Sequence, residues 1–391
     1  MKALRPHALL ILLNLAATLA TYAVCVVRWG GEPAPGLSIL HRYWDGPAYV
    51  AVARSLYDPN NEIFARFGDT FGICTVPAVY PLAIRALSPV FGYFNAMLVA
   101  TFVFSCLCFS VLYELLRTFR LVREPLWCSI AFIFFPPRWV IYHSVGASEP
   151  PFLLFILCTL YCYRKRRLFL AGAFGGLASV TRIYGVLLFP ALLLAELHRW
   201  GELSGWSPRA FVSSAAVKNA LRVVSALLPI PVLLGLQFLW FEVKLGDFWA
   251  YFRENGRTMS AIPFRGIFEA GLQHPAEAYG TVFLYLALTY GLLWLWRHGH
   301  KDLFFVSALL VLPNAFTTLP DQGRFMVPVY PFLLLIPFGD LWAQREAKWA
   351  LLLCLPATYA YVWSSILVNL LPTEVYDRVR SFLDSARLPI P

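Results

Sequence analysis

Charge is what this chain has least of. Asp, Glu, Lys and Arg make up 14% of its 391 residues, hydrophobic residues make up 59%, and the mean hydropathy is +0.63. A soluble chain of this length needs far more charge to cover its surface. A soluble enzyme is therefore excluded, and a polytopic membrane protein is expected. Nucleotide-binding signatures are missing too. There is no G-x-G-x-x-G, no G-x-x-x-x-G-K-[ST] and no D-x-D, and the connections between apolar runs are too short for a soluble nucleotide-sugar domain. Of the eight cysteines, residues 25, 106, 108, 128, 158, 162 and 354 lie in or beside apolar runs, and only Cys74 lies in a polar loop. That pattern offers neither a disulfide framework nor a metal knuckle, so the cysteines read as structural filler and no metal or cofactor is expected.

What the chain has is membrane-spanning sequence. Aromatic residues reach 16%, with 13 Trp and 19 Tyr, as suits repeated crossings of the interface. Apolar runs fall at about 8–27, 93–116, 126–144, 149–163, 168–182, 184–198, 222–241, 280–296, 303–319, 325–338 and 348–370, which predicts about eleven spans in an all-α bundle. The first run follows Lys2 and Arg5 and reads as a retained signal-anchor. With the amino terminus in the cytoplasm, the inner connections carry 17 of the 32 basic residues, and the outer segments hold 15 of the 22 acidic ones. This bias orients the bundle and places the tail after residue 370 outside. The net charge of +10 thus reflects topology and gives no reason to expect a nucleic-acid partner.

Two long loops then face outward, 28–92 and 242–279. In the first, Tyr49, Val52, Ala53, Leu56 and Tyr57 follow helical spacing, with Pro47 in the first turn and Asp58-Pro59-Asn60-Asn61 as the stop. This predicts an amphipathic helix lying on the membrane or on the bundle. The second loop sets Trp249, Tyr251, Phe252, Phe264 and Phe268 among Arg253, Arg257 and Arg265, an interfacial composition. Gly172 and Gly176 form a small-xxx-small face for close helix packing. The chain reads as a single transmembrane domain over 1–391, with the two outer loops forming its active face.

The ionisable residues at that face are few enough to weigh singly. Asp45, in Trp44-Asp45-Gly46, is either the N-cap of the helix that follows or a general base whose aromatic neighbours favour proton uptake. Glu149 is either an acid at a helix N-terminus or a group that holds a substrate hydroxyl. Arg182 lies between two apolar runs; it either snorkels to solvent or faces an anion or a carboxylate. Arg324 faces an anion or pairs with Asp321. Arg138 and His143, near the outer end of the third span, are either interface anchors, the reading favoured, or members of the site. All of the charged candidates fall on one face, and an acid beside several guanidinium groups suits a phosphate-bearing substrate. A cation channel or proton pump would need acidic rings or buried carboxylates instead.

Several segments carry a resemblance. Arg42-Tyr43-Trp44-Asp45-Gly46-Pro47-Ala48-Tyr49, Tyr80-Pro81-Leu82, Ser148-Glu149, Ser179-Val180-Thr181-Arg182-Ile183-Tyr184-Gly185 and Gly323-Arg324-Phe325 resemble, in order and spacing, the PIG-V family of GPI mannosyltransferase II and its bacterial relatives. These are GT-C integral membrane glycosyltransferases. The resemblance implies mannosyl transfer, with inversion, from a polyprenyl- or dolichyl-phosphate sugar to a lipid or glycan acceptor on the periplasmic or lumenal face. It makes Asp45 the base, places Arg182 and Arg324 on the phosphate, and adds Arg42, Trp44, Glu149 and Tyr184 to the substrate site. Two other readings stay open from the residues alone: a flippase for lipid-linked sugars, and a non-catalytic subunit of a glycan assembly complex.

Overall fold

A computed structural model describes residues 4–27, 36–67, 72, 75–206, 214–273, 275–319 and 321–385. Cys74 lies outside the described residues, as do parts of the first outer loop. Six described helices are long and apolar enough to cross a membrane: Arg5–Cys25, Tyr93–Thr118, Ile183–Leu203, Val217–Leu245, Ala278–Arg297 and Arg345–Val368. Shorter apolar helices stand among them, including Val79–Phe91, Pro125–Phe134, Glu149–Arg164 and Leu168–Ser179. The protein is an integral, multi-pass membrane protein built as an all-helical bundle.

Proline divides two of the expected spans. The run 126–144 is two helices, Pro125–Phe134 and Pro137–Tyr142, because Phe135 before Pro136 is extended and Pro136 offers no N–H. Pro229 does not break the run 222–241: Ser214–Leu227 and Pro229–Leu245 join through helical Leu228, whose N–H donates to the Val224 carbonyl at 2.9 Å, in the one span Val217–Leu245. The run 325–338 forms no single helix, and its prolines break it into the short turns Val327–Val329 and Pro331–Leu335.

Helix Tyr93–Thr118 is central, packed against the first helix, Gly46–Ser55, Val79–Phe91 and Glu149–Arg164. Helix Leu168–Ser179 lies close to its neighbours through its glycines. A Cβ on Gly172 would sit 2.1 Å from the Ala226 carbonyl oxygen, and one on Gly176 would sit 2.7 Å from that of Pro229. Glu149–Arg164 spans 16 residues, roughly 24 Å at 1.5 Å per residue, so Glu149 and the basic run that begins at Arg164 lie at opposite ends of one helix.

The helix expected after Asp45 runs Gly46–Ser55 and is buried nearly all round: Tyr49, Val50, Ala51, Val52 and Ala53 are all inside. It is therefore part of the bundle and does not lie on the surface. It ends before the Asp-Pro turn, at Leu56 and Tyr57, whose φ angles are +50° and +67°. In the second loop Trp249, Phe252, Phe264 and Phe268 are exposed, Trp249 at 59% and Phe268 at 69%, as an interfacial segment requires, whereas Tyr251 is half-buried. The tail forms an amphipathic helix, Thr373–Ser385, that buries Tyr376, Val379 and Leu383.

Candidate functional site

Three close approaches bring the site together. Gly46 and Gly146 both lie on Met97, and a Cβ on Gly146 would stand 2.3 Å from the Met97 sulfur. A side chain at either position would displace Met97, so the two glycines let the start of helix Gly46–Ser55 and the turn before Glu149 close on it as it stands. Tyr49 and Ser148 then join across the gap by a 2.8 Å hydroxyl hydrogen bond. Arg182 is extended, at φ −147° and ψ 134°, where helix Leu168–Ser179 has ended and the turn Ile183–Leu187 begins. Gly185 allows that reversal, since a Cβ there would lie 2.4 Å from the Ala178–Ser179 backbone. Arg324 lies on the short helix Gln322–Met326, capped by Asp321, whose Oδ1 accepts from the Arg324 backbone N–H at 3.3 Å.

The four charges converge. Arg324 Nε donates to Glu149 Oε1 at 2.5 Å, and Arg324 Nη2 donates to Asp45 Oδ2 at 2.7 Å. Arg182 Nη1 lies 2.6 Å from the same Glu149 oxygen, as an ion pair whose angle does not make an aligned hydrogen bond. Glu149 is fully buried, and its Oε2 has no hydrogen-bond partner among the described residues. Burial alone would lower the Arg324 pKa, but Glu149 and Asp45 on either side hold it well above its ordinary value, so it stays charged. The guanidinium plane also stacks over Tyr142, 4.9 Å from the ring centre, and Arg182 lies over Phe325 at 5.7 Å.

These groups open onto a cavity of about 590 Å³, inside the roughly 300–1,000 Å³ of small-ligand sites. Asp45, Asp321, Arg182 and Arg324 supply its polar side, while Trp44, Tyr184, Tyr251, Phe252, Met259 and Phe325 supply aromatic and apolar walls. Burial pushes the Tyr251 hydroxyl up, so it stays protonated and can donate.

Of the residues expected at the site, Asp45, Trp44, Arg182, Tyr184 and Arg324 line this cavity. Glu149 lies beneath it, holding both guanidinium groups. Arg42 is elsewhere: its Nε donates to the Leu371 carbonyl at 2.8 Å. Two alternatives are corrected. Asp45 occupies the N-cap position but its side chain makes no cap hydrogen bond, because Arg324 takes its carboxylate. Asp321 pairs with Arg138, at 2.7 Å, rather than with the Arg324 side chain, and it also accepts from the Tyr142 hydroxyl at 3.1 Å. Arg138 further donates to the hydroxyls of Tyr361 and Ser365. His143 is buried away from the cavity against the Ile133 carbonyl. The Asp321–Arg138 pair was beyond sequence reasoning because 183 residues separate its members. Tyr251 and Phe252 were visible only as an aromatic cluster. Among the described residues no group of three His, Cys, Asp or Glu side chains is arranged to hold a metal ion.

No protein-family model and no curated protein matches the chain in sequence. A likeness does exist among solved structures. ArnT from Cupriavidus metallidurans, crystallised bound to undecaprenyl phosphate, is 13% identical, with 96% of this chain and 69% of that one covered at a TM-score of 0.50. The likeness reaches the GT-C fold and does not extend to PIG-V. This chain is an all-helical membrane bundle of the GT-C type.

Proposed function

We propose that the chain is a membrane glycosyltransferase whose donor is a sugar on a polyprenyl or dolichyl phosphate. One observation carries the reading: a carboxylate and two guanidinium groups from three distant parts of the chain meet at one cavity with an aromatic wall. The fold shared with a protein crystallised on undecaprenyl phosphate supports a lipid-borne donor. Asp45 removes the proton of the acceptor hydroxyl, whose oxygen attacks the anomeric carbon from the face opposite the phosphate. The anomeric C–O bond breaks, its electron pair goes to the phosphate oxygen, and the configuration inverts. A phosphodiester carrying one negative charge leaves as a lipid phosphate carrying up to two. Arg182 and Arg324 meet that added charge where it develops, which is where electrostatic stabilisation lowers a barrier. Glu149 keeps both guanidinium groups at the cavity floor. Arg324 binds Asp45 at 2.7 Å, and a phosphate arriving at Arg324 competes for that nitrogen and releases the carboxylate toward the acceptor.

The PIG-V-like motifs make mannose the proposed sugar and a lipid or glycan hydroxyl the acceptor. The loop charge puts the site on the outer, periplasmic or lumenal, face of a single unit over 1–391. The test is sugar transfer by purified protein in lipid nanodiscs, with a panel of polyprenyl-phosphate hexoses and a nucleotide sugar as control. Transfer from a polyprenyl-phosphate hexose, falling by roughly 10² to 10⁴ in Asp45→Asn with folding intact, is the expected result. Direct use of the nucleotide sugar, or normal turnover by the Asn variant, overturns the reading.

A further inference from the structure

The tail of the chain reaches back to the loop that carries Asp45. Leu371 N–H donates to the Arg42 carbonyl at 2.8 Å, and Trp44 N–H donates to that of Asn369 at 3.1 Å. Between them Tyr43 and Leu370 form an antiparallel bridge. The Arg42 side chain adds a third rung, Nε to the Leu371 carbonyl at 2.8 Å. Just before it, His41 Nδ1 lies 3.0 Å from the Tyr376 hydroxyl, and the Phe94 ring stacks on His41 and tilts against Tyr376. Tyr376 belongs to the buried face of helix Thr373–Ser385.

We propose that 369–371 is a positioning strap for Asp45, with Arg42 as the side chain that fastens it. This rests on Asp45 being the base. The four residues 42–45 join the short helix Ser38–His41 to helix Gly46–Ser55. Trp44 sits there at φ +42°, a conformation costly for a large L side chain, which persists only where its surroundings impose it. The rungs on either side of Tyr43 supply that constraint, and Asp45 is the next residue. Arg42 does not line the cavity, so its role is exerted through the backbone and not through substrate. A base displaced by about 1 Å can lose up to roughly 10²-fold in rate, so a strap of this kind acts on turnover more than on donor affinity.

The experiment uses the full chain in nanodiscs. Arg42→Ala should lower kcat about tenfold or more while the donor KM stays within about twofold. Opposed residues of an antiparallel pair have Cα atoms roughly 4.5–5.5 Å apart, within the reach of a disulfide. Arg42→Cys with Leu371→Cys should therefore recover kcat when oxidised and lose it again on reduction, with Arg42→Cys alone as the control. Hydrogen exchange at the Trp44 and Leu371 amides gives a readout independent of catalysis: slow in the native chain, faster in Arg42→Ala, slow again in the oxidised pair. A raised donor KM with unchanged kcat would make Arg42 a substrate contact, and unchanged amide protection in Arg42→Ala would remove the strap. If the native chain transfers no sugar while the exchange pattern holds, the transferase reading falls and takes the positioning of a base with it, leaving 369–371 as a structural fastening of the loop.

Discussion

Glu149→Gln tests the centre of the charge cluster. The carboxylate is fully buried, with Oε1 at 2.5 Å from Arg324 Nε and 2.6 Å from Arg182 Nη1. Glutamine keeps the size and removes the charge, leaving two guanidinium groups with Asp45 as the remaining carboxylate in direct contact. Removing one partner from a buried ion pair costs about 3–5 kcal/mol. Asp45 still holds Arg324 and the cavity admits water, so the lower end, about 3 kcal/mol, is expected. In detergent this should appear as unfolding accelerated on the order of 10²-fold, followed by tryptophan fluorescence at fixed temperature. A second measurement follows from the charge. Two positive and two negative groups make the native cluster neutral, whereas the variant carries one net positive charge. Polyprenyl phosphate should therefore slow unfolding of the variant by a larger factor than that of the native chain. A variant as durable as the native chain, or one that gains no more from the lipid phosphate, would refute the idea that Glu149 holds the two arginines.

Other outcomes are expected. Arg182→Ala should weaken transition-state stabilisation by about 1.5–3 kcal/mol in kcat/KM, and Arg182→Lys should recover only part, since it restores charge without the planar fork; equal activity of both with the native chain would remove Arg182 from the phosphate. Gly172→Ala should destabilise the bundle by about 1–3 kcal/mol, read as a lowered unfolding midpoint, because the new methyl meets a backbone carbonyl that cannot rotate away. Acidification should undock the tail helix. Burial, with Arg380 adding to it and a hydrogen bond to Asn95 opposing it, lowers His41 from its ordinary 6.5 to about 4. The folded state thus binds fewer protons than the unfolded one, and the stability present above pH 6.5 is lost as pH falls toward about 4. Hydrogen-exchange protection across Thr373–Ser385, taken relative to the intrinsic exchange rate at each pH, should fall between pH 7 and 5, and His41→Asn should flatten that dependence.

Periodicity and hydropathy carried the fold class, because every backbone group in a bilayer must bond within its own helix and the sequence then has to advertise its helices. Prolines blurred the span count: Pro136 and Pro331 divide runs that read as continuous. At the site, the chemistry of Asp45, Glu149, Arg182 and Arg324 was legible because ions are rare beside apolar runs. Their pairing was not, since sequence neighbourhood suggested Asp321 for Arg324 and space gave it Glu149 and Asp45. The docking of the tail left a signal that went unread, in the spacing of Tyr376, Val379 and Leu383. Its attachment to Arg42 and Trp44 runs through main-chain atoms, on which side-chain identity is silent.

Arg324 meets Asp45 across 279 residues of chain and Glu149 across 175. During synthesis, Asp45, Glu149 and Arg182 enter the membrane well before it does, and until it arrives they carry one unanswered negative charge. At about 5–20 residues per second, the roughly 140 residues between Arg182 and Arg324 take roughly 7 to 30 s to make. Through that interval the half-built bundle holds a carboxylate without its counter-ion, a state that membrane interiors penalise. The short helix Gln322–Met326 is therefore the piece whose arrival balances the buried charge, well before the last long helix and the tail are made.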